Sequence, residues 1–229
     1  DMLHTGILPY HPKWAAFFAG LRYVVIDEIH SYRGIFGSHV ANVIRRLKRV
    51  AGHYGAKPQF VSSSATIANP GPLAEAITGE PFEVIDDDGA PRGEKYFLIW
   101  NPPVVDIYNF LRRSANVEAS ELLSELMKAG FSTILFARAR IVSELIHRYT
   151  QERLRGDKKT AKLAERIAPY RGGYLPEDRR RIEKELFSGR LLAVSSTNAL
   201  ALGIDVGSLD AAIMVGFPGT IASTWQQAG

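Results

Sequence analysis

Residues 21–30 read LRYVVIDEIH. An apolar run rich in β-branched residues, Leu21 to Ile26, is followed at once by two carboxylates, Asp27 and Glu28. That order predicts a buried parallel strand whose C-terminal end opens into a functional loop. In open α/β sheets this is the end where ligands bind. One acid there can hold Mg²⁺ through its water shell. The next, turned elsewhere, can position a water molecule for attack on a phosphate. Taken alone, the tetrad Asp27-Glu28-Ile29-His30 also fits acids in a solvated loop.

Outward from this point, strand and helix patterns alternate. Gly37-Ser38 is expected to open a helix, with Ser38 as N-cap and Val40, Val43, Ile44, Leu47 and Ala51 on one face. Arg45, Arg46, Lys48 and Arg49 near its end are read as dipole partners and a solvated face. Residues 58–62 (PQFVS) form the next expected strand, and 73–78 a short helix closed by Gly79. Residues 82–85 and 96–100 are two strand-like runs around the acidic loop Asp86-Asp87-Asp88. That loop lacks the alternating ligands of a calcium site.

Asn101-Pro102-Pro103 marks the expected boundary, giving parts 1–102 and 103–229. The second part repeats the style of the first. A helix is expected over about 114–129, a strand over 132–136, and a helix over 141–155. A charged stretch follows over 157–166. Leu175-Pro176-Glu177-Asp178 then starts a helix that ends near Ser188-Gly189, and strands are expected over 191–195 and 211–215. Such alternation means parallel βαβ units.

Composition narrows the function classes. The chain has 229 residues, 46% hydrophobic and 23% charged, an ordinary globular mix. No apolar run approaches a membrane span. The opening residues lack the basic-then-apolar order of a signal peptide. There is no cysteine, so disulfides, thiolate catalysis and cysteine zinc sites are excluded within the chain, and the six histidines show no zinc spacing. The net charge is +4. Ten basic and ten acidic residues balance in the first hundred positions, while the remainder holds eighteen basic against fourteen acidic. A basic excess permits a polyanionic partner. The start without Met and the end at Gln226-Gln227-Ala228-Gly229 are read as those of a piece of something longer.

Further clusters carry chemistry. Ser64-Ala65-Thr66 follows an expected strand, and its small hydroxyls can bond the acidic loop. Thr197, after the strand 191–195, can offer a hydroxyl and an N–H to a phosphate, and Gly203 and Asp205 lie just beyond. Tyr170-Arg171-Gly172-Gly173 pairs an arginine with glycines that let a backbone come close, and fits a phosphate contact or a glycine turn. Tyr32 and Phe36 can pack on a base or on the core.

Together these motifs resemble the superfamily-two helicases, the DEAD/DEAH-box ATPases with two RecA-like lobes. DEIH (27–30) resembles motif II, SSSAT (62–66) motif III, and TILFARAR (133–140) motif IV. STNALALGID (196–205) resembles motif V, QQAG (226–229) the opening of motif VI, and DMLH (1–4) the end of motif Ib. HSYRGIFGSHVANVIRRLKR (30–49), SSSATIANP (62–70), DDDGAPRGEK (86–95), NPP (101–103) and YRGGYLP (170–176) are similar to the MrfA-type, Hrq-like, RecQ-related repair helicases. The resemblance implies an α/β fold of two RecA-like lobes with mainly parallel sheets, the first incomplete. It implies an ATP-dependent 3′ to 5′ translocase on single-stranded or forked DNA, cytoplasmic and nucleoid-associated, with ATP and Mg²⁺ as cofactors.

By the same resemblance, Asp27 binds the Mg²⁺-nucleotide and Glu28 orients the attacking water. His30, Ser64, Ala65 and Thr66 couple the lobes. Gly203 and Asp205 contact nucleotide, and Gln226 faces the γ-phosphate. Arg138, Arg171 and Thr197 hold the DNA backbone. The phosphate-binding pattern G-x-x-x-x-G-K-[ST] does not occur in the sequence. The motif VI arginines do not occur either. The chain alone is therefore expected not to hydrolyse ATP at a useful rate. A non-catalytic nucleic-acid-binding module and an RNA helicase are the alternatives.

Overall fold

The structure, a computed structural model, describes residues 1–64, 67–87, 89, 93–171, 173–197 and 209–229. The chain divides into two compact units, Asp1–Glu94 and Lys95–Gly229.

The first unit opens with helical turns over Met2–Ile7 and Leu8–Trp14, then α1 (Ala15–Ala19). Strands β1 (Tyr23–Ile26) and β2 (Gln59–Ser62) pair in parallel, with Tyr23 opposite Gln59 and Ile26 opposite Ser62. The crossover between them is α2 (Gly34–His53), and α3 (Pro70–Thr78) follows β2. Side chains alternate across a strand. Val24, Ile26 and Phe60 therefore join Leu8, Phe18, Ile29, Ile44, Leu47 and Ile77 in one core. Tyr23, Val25 and Val61 point to the opposite, exposed face. The expectation of a buried strand is corrected: Tyr23 and Val25 are exposed, and among the described residues one face of β1 enters the core.

Helix α2 begins at Gly34, three residues before the expected start. Ser38 is not its cap, and its hydroxyl donates back to the Gly34 carbonyl at 3.2 Å. Gly37 is needed for another reason, since a Cβ there would collide with the Tyr32 carbonyl. Gly79, at φ 70°, ends α3 in the left-handed region as a C-terminal glycine does.

In the second unit β3 (Val104–Asp106) and β4 (Leu111–Arg112) make a small antiparallel pair. Helices α4 (Ala115–Lys128), α5 (Arg140–Arg155) and α6 (Pro176–Phe187) alternate with β5 (Thr133–Ala137), β6 (Ile167–Tyr170), β7 (Ala193–Ser196) and β8 (Ala211–Val215). Helix α7 (Ile221–Ala228) ends the chain, with the Thr220 hydroxyl accepting from the Ser223 N–H at 3.0 Å. The four strands form one parallel sheet in the order β6-β7-β5-β8. Every residue of β5 is buried. Leu135 and Ala137 meet Leu123, Met127, Ile146 and Leu154 of α4 and α5. Ile134 and Phe136 meet Ile182 and Leu186 of α6. A central parallel strand covered on both faces reads as a continuous apolar run for this reason.

Residues 82–85 and 96–100 are not strands. Ile85, Tyr96, Leu98 and Ile99 are each at least 80% exposed, so β-forming composition here meets no neighbouring strand. Trp100 instead donates from Nε1 to Glu118 at 3.1 Å, and Arg113 pairs with the same carboxylate. Strand β6 has no counterpart among the expected strands. It carries Pro169 and lies at a sheet edge, where a missing N–H is tolerated. At the other side of the sheet, the Ser132 N–H and hydroxyl both donate to Asp210, at 2.7 and 2.8 Å. They hold its carboxyl below the usual range and fix where β5 and β8 begin together.

Two outcomes follow from this packing. Gly37→Ala forces the Tyr32 carbonyl away and lowers the stability of the first unit by about 1–3 kcal/mol, read from denaturant unfolding. The Tyr170 phenol is buried and donates to Glu183 at 2.7 Å, and burial before hydrogen bonding pushes its pKa up to about 12. An unfolded tyrosine ionises near 10. The raised value gives stability that is complete below about pH 10 and lost as pH climbs toward 12. Unfolding titrations of wild type and Tyr170→Phe between those limits should differ in slope, with the phenylalanine variant the flatter.

Candidate active-site loop and sheet edge

Strand β1 delivers Asp27 and Glu28 directly past its last residue, Ile26. The loop is pinned by β2. Ser63 N–H donates to the Ile26 carbonyl at 3.0 Å, and Ile29 N–H donates to the Ser63 carbonyl at 3.0 Å. The Ser63 hydroxyl donates to Asp27 Oδ1, which also accepts the Glu28 N–H at 2.9 Å. Asp27 Oδ2 has no hydrogen bond among the described residues, and the side chain is exposed.

Glu28 sits at φ 52°, ψ 43°, a left-handed conformation that non-glycine residues seldom take. Such strain persists only where the surroundings over-determine it. Here they do: the Glu28 carbonyl accepts from the Ser31 N–H at 2.9 Å and the Ser31 hydroxyl at 2.8 Å, while Ile29 is buried in the core. The two carboxylates meet different neighbours, Asp27 the Ser63 hydroxyl and Glu28 the His30 ring. Glu28 Oε2, itself shielded from solvent, lies 3.1 Å from His30 Nδ1 in a contact without hydrogen-bond alignment.

Among the described residues no group of three His, Cys, Asp or Glu converges as a metal cage. The loop fits Mg²⁺ in another way. This ion keeps several waters and takes one or two carboxylates plus substrate phosphates. One oxygen of Asp27 is fixed by two donors and the other has no hydrogen bond among the described residues, which suits a single contact of that kind.

The structure places Ser64 directly after Ser63 at the end of this loop, while Ala65 and Thr66 lie outside the described residues. The hydroxyl that reaches Asp27 belongs to Ser63, which sequence reasoning did not assign. The signal was the β1–β2 register: with Ile26 opposite Ser62, the next residues, Asp27 and Ser63, also face each other.

In the second unit, Arg138, Thr197 and Arg171 each follow a strand end, those of β5, β7 and β6. Phe136 and Tyr170 both pair with Ser196, so the three residues occupy one C-terminal sheet edge across three neighbouring strands. Arg138 is exposed and has no ion pair among the described residues. Arg171 is tethered: Nη2 lies 2.6 Å from Glu144 Oε1, and the guanidinium sits over the Tyr174 ring at 5.5 Å. Its buried Nε has no hydrogen-bond partner. Gln226 lies half-buried on α7. Gly203 and Asp205 fall outside the described residues. No described helix is long and apolar enough to cross a membrane.

Comparison with known proteins gives this arrangement its setting. Residues 2–72 match the DEAD/DEAH box helicase family, and residues 118–229 match the helicase conserved C-terminal domain. Over its full length the chain is 52% identical to the ATP-dependent helicase YprA of Bacillus subtilis, covering 30% of that protein. It is 43% identical to the ATP-dependent helicase hrq1 of Schizosaccharomyces pombe, covering 22% of it. The crystal structure of the DUF1998 helicase MrfA bound to DNA and AMPPNP matches the whole chain with a TM-score of 0.89 at 52% identity, over 31% of that chain. The chain thus spans less than a third of each of these relatives. An acidic loop at the end of a parallel strand, a parallel sheet edge bearing Arg138, Thr197 and Arg171, and these matches agree: the chain belongs to the superfamily-two DEAD/DEAH-box helicases, with RecA-like α/β lobes, and is MrfA- and Hrq-like.

Proposed function

We propose that the chain is the central part of an ATP-dependent DNA helicase that moves 3′ to 5′ on single-stranded or forked DNA and serves DNA repair. The observation that carries this reading is the acidic loop, with Asp27 oriented by Ser63 and Glu28 held left-handed beside His30. In this proposal Mg²⁺, when bound, offsets charge on the phosphates. Asp27 holds that ion through water. Glu28 accepts a hydrogen bond and then a proton from the attacking water, whose oxygen joins the γ-phosphorus as the bond to the bridging oxygen of ADP breaks, leaving ADP and inorganic phosphate. Gln226 faces the γ-phosphate, and Gly203 and Asp205 contact nucleotide. His30, Ser64, Ala65 and Thr66 pass the state of the loop to the other lobe. Arg138, Arg171 and Thr197 grip the DNA backbone, whose phosphates suit arginine forks.

In P-loop NTPases a phosphate loop cradles the nucleotide, and an arginine finger is worth roughly 10³–10⁵ in rate. The 229 residues contain no G-x-x-x-x-G-K-[ST] pattern. Turnover is therefore expected only from a chain extended to the length of the MrfA-like relatives, with ATP hydrolysis stimulated by single-stranded DNA. In that longer chain Glu28→Gln should lower the stimulated rate by about 100-fold or more while nucleotide binding persists. A folded, extended wild type that is inert, or a Glu28→Gln variant at full rate, would leave the non-catalytic binding module as the better reading. On DNA, Arg138→Ala should weaken binding and reduce the slope of log affinity against log salt by about 0.7, the share of one phosphate contact on a single strand.

A further inference from the structure

Helix α2 carries Arg45, Arg46, Lys48 and Arg49 within five positions. It contains no acidic residue, and none occurs between Glu28 and Glu75. The helix macrodipole does not account for this cluster. Its influence fades within the last turn, and the last turn of α2 holds His53 as its basic residue. Arg45 and Arg46 lie about two turns earlier.

Lys48 has a local task. It donates to the Thr78 carbonyl at 3.0 Å, pairs with Glu80 and lies over the Phe60 ring. No such task is found for the arginines: Arg45, Arg46 and Arg49 make no ion pair or hydrogen bond among the described residues, and Arg45 and Arg49 are exposed. Arg45 and Arg49 stand four residues apart, a spacing at which like charges destabilise a helix. All four cations line a groove of about 810 Å³ together with His4 and His39, and no carboxylate lines it.

A concave surface with several arginines and no acid selects for an extended polyanion. Arginine presents a planar fork that matches phosphate oxygens in pairs. Side chains at this helical spacing have Cβ atoms about 5–6 Å apart, so neighbouring forks can hold successive phosphates of one strand. We propose that this groove on α2 is a nucleic-acid-backbone site, additional to Arg138, Arg171 and Thr197, which takes DNA phosphates without reading sequence. The proposal rests on the DNA partner assigned above. It also bears on the acidic loop, because α2 starts at Gly34, four residues after His30.

The test uses the whole 229-residue chain and a labelled oligothymidine of about 20 nucleotides, titrated between about 50 and 200 mM salt. Arg45→Ala/Arg49→Ala should weaken binding several-fold and reduce the salt slope by about 1.4. Arg45→Lys/Arg49→Lys should retain most of the slope, since it keeps both charges. Helical circular dichroism should match wild type in both, as exposed alanines favour a helix. Unchanged affinity and slope in the alanine pair, with Arg138→Ala still weakened, would overturn the groove and leave the DNA reading standing. A wild type that does not bind the oligonucleotide overturns both. If the alanine pair loses binding to phosphatidylserine vesicles but not to the oligonucleotide, the groove takes an anionic lipid surface and the proposal fails.

Discussion

The contact between the Ser63 hydroxyl and Asp27 Oδ1 couples the ends of two parallel strands, and the geometry of the acidic loop follows from it. With one oxygen of Asp27 occupied and the backbone of Ile29 bound to Ser63, Glu28 is held on both sides. It turns left-handed, at a backbone cost repaid by two hydrogen bonds to its own carbonyl and by the burial of Ile29. Two neighbouring acids on an ordinary strand extension would project to opposite faces. With the turn they share one end of the strand and still meet different neighbours. The metal-holding and water-orienting roles proposed for Asp27 and Glu28 call for that division.

Unit two shows the same logic on a larger scale. Burying β5 between α4 and α5 on one face and α6 on the other leaves its C-terminal end as the place where polar side chains emerge. Parallel pairing then aligns three such ends, so residues distant in sequence occupy one edge. The tether from Glu144 holds Arg171 at that edge with a charge partner already in place. Any phosphate that engages it competes with a carboxylate.

Much of this was legible from local pattern. The core strands β5 and β8 and helices α4 to α6 announce themselves by apolar runs and helical spacing, with Pro176 and Gly189 as punctuation. The acidic loop was legible because its two acids abut a β-branched run. What escaped depends on partners in space. Residues 96–100 have strand composition but no strand beside them. Residues 167–170 carry a proline yet do have a neighbour in β7. The choice among Ser62, Ser63 and Ser64 needed the register of β1 on β2. The Arg171–Glu144 pair spans two elements and leaves no trace in spacing. The arginines of α2 read as end-of-helix charges from spacing alone, and only the groove they line shows that they share one surface.

Pro169 has one more consequence. Among the described residues β6 is one of the two outer strands of its sheet, with β8 the other, and an outer strand with a full row of free N–H groups invites the strand of another molecule. The proline ring interrupts that row on the one strand of the sheet that carries such a residue. Wherever copies of a chain meet at high local concentration, sheet-to-sheet adhesion is a standing hazard. A single missing hydrogen makes β6 a poor seed for it.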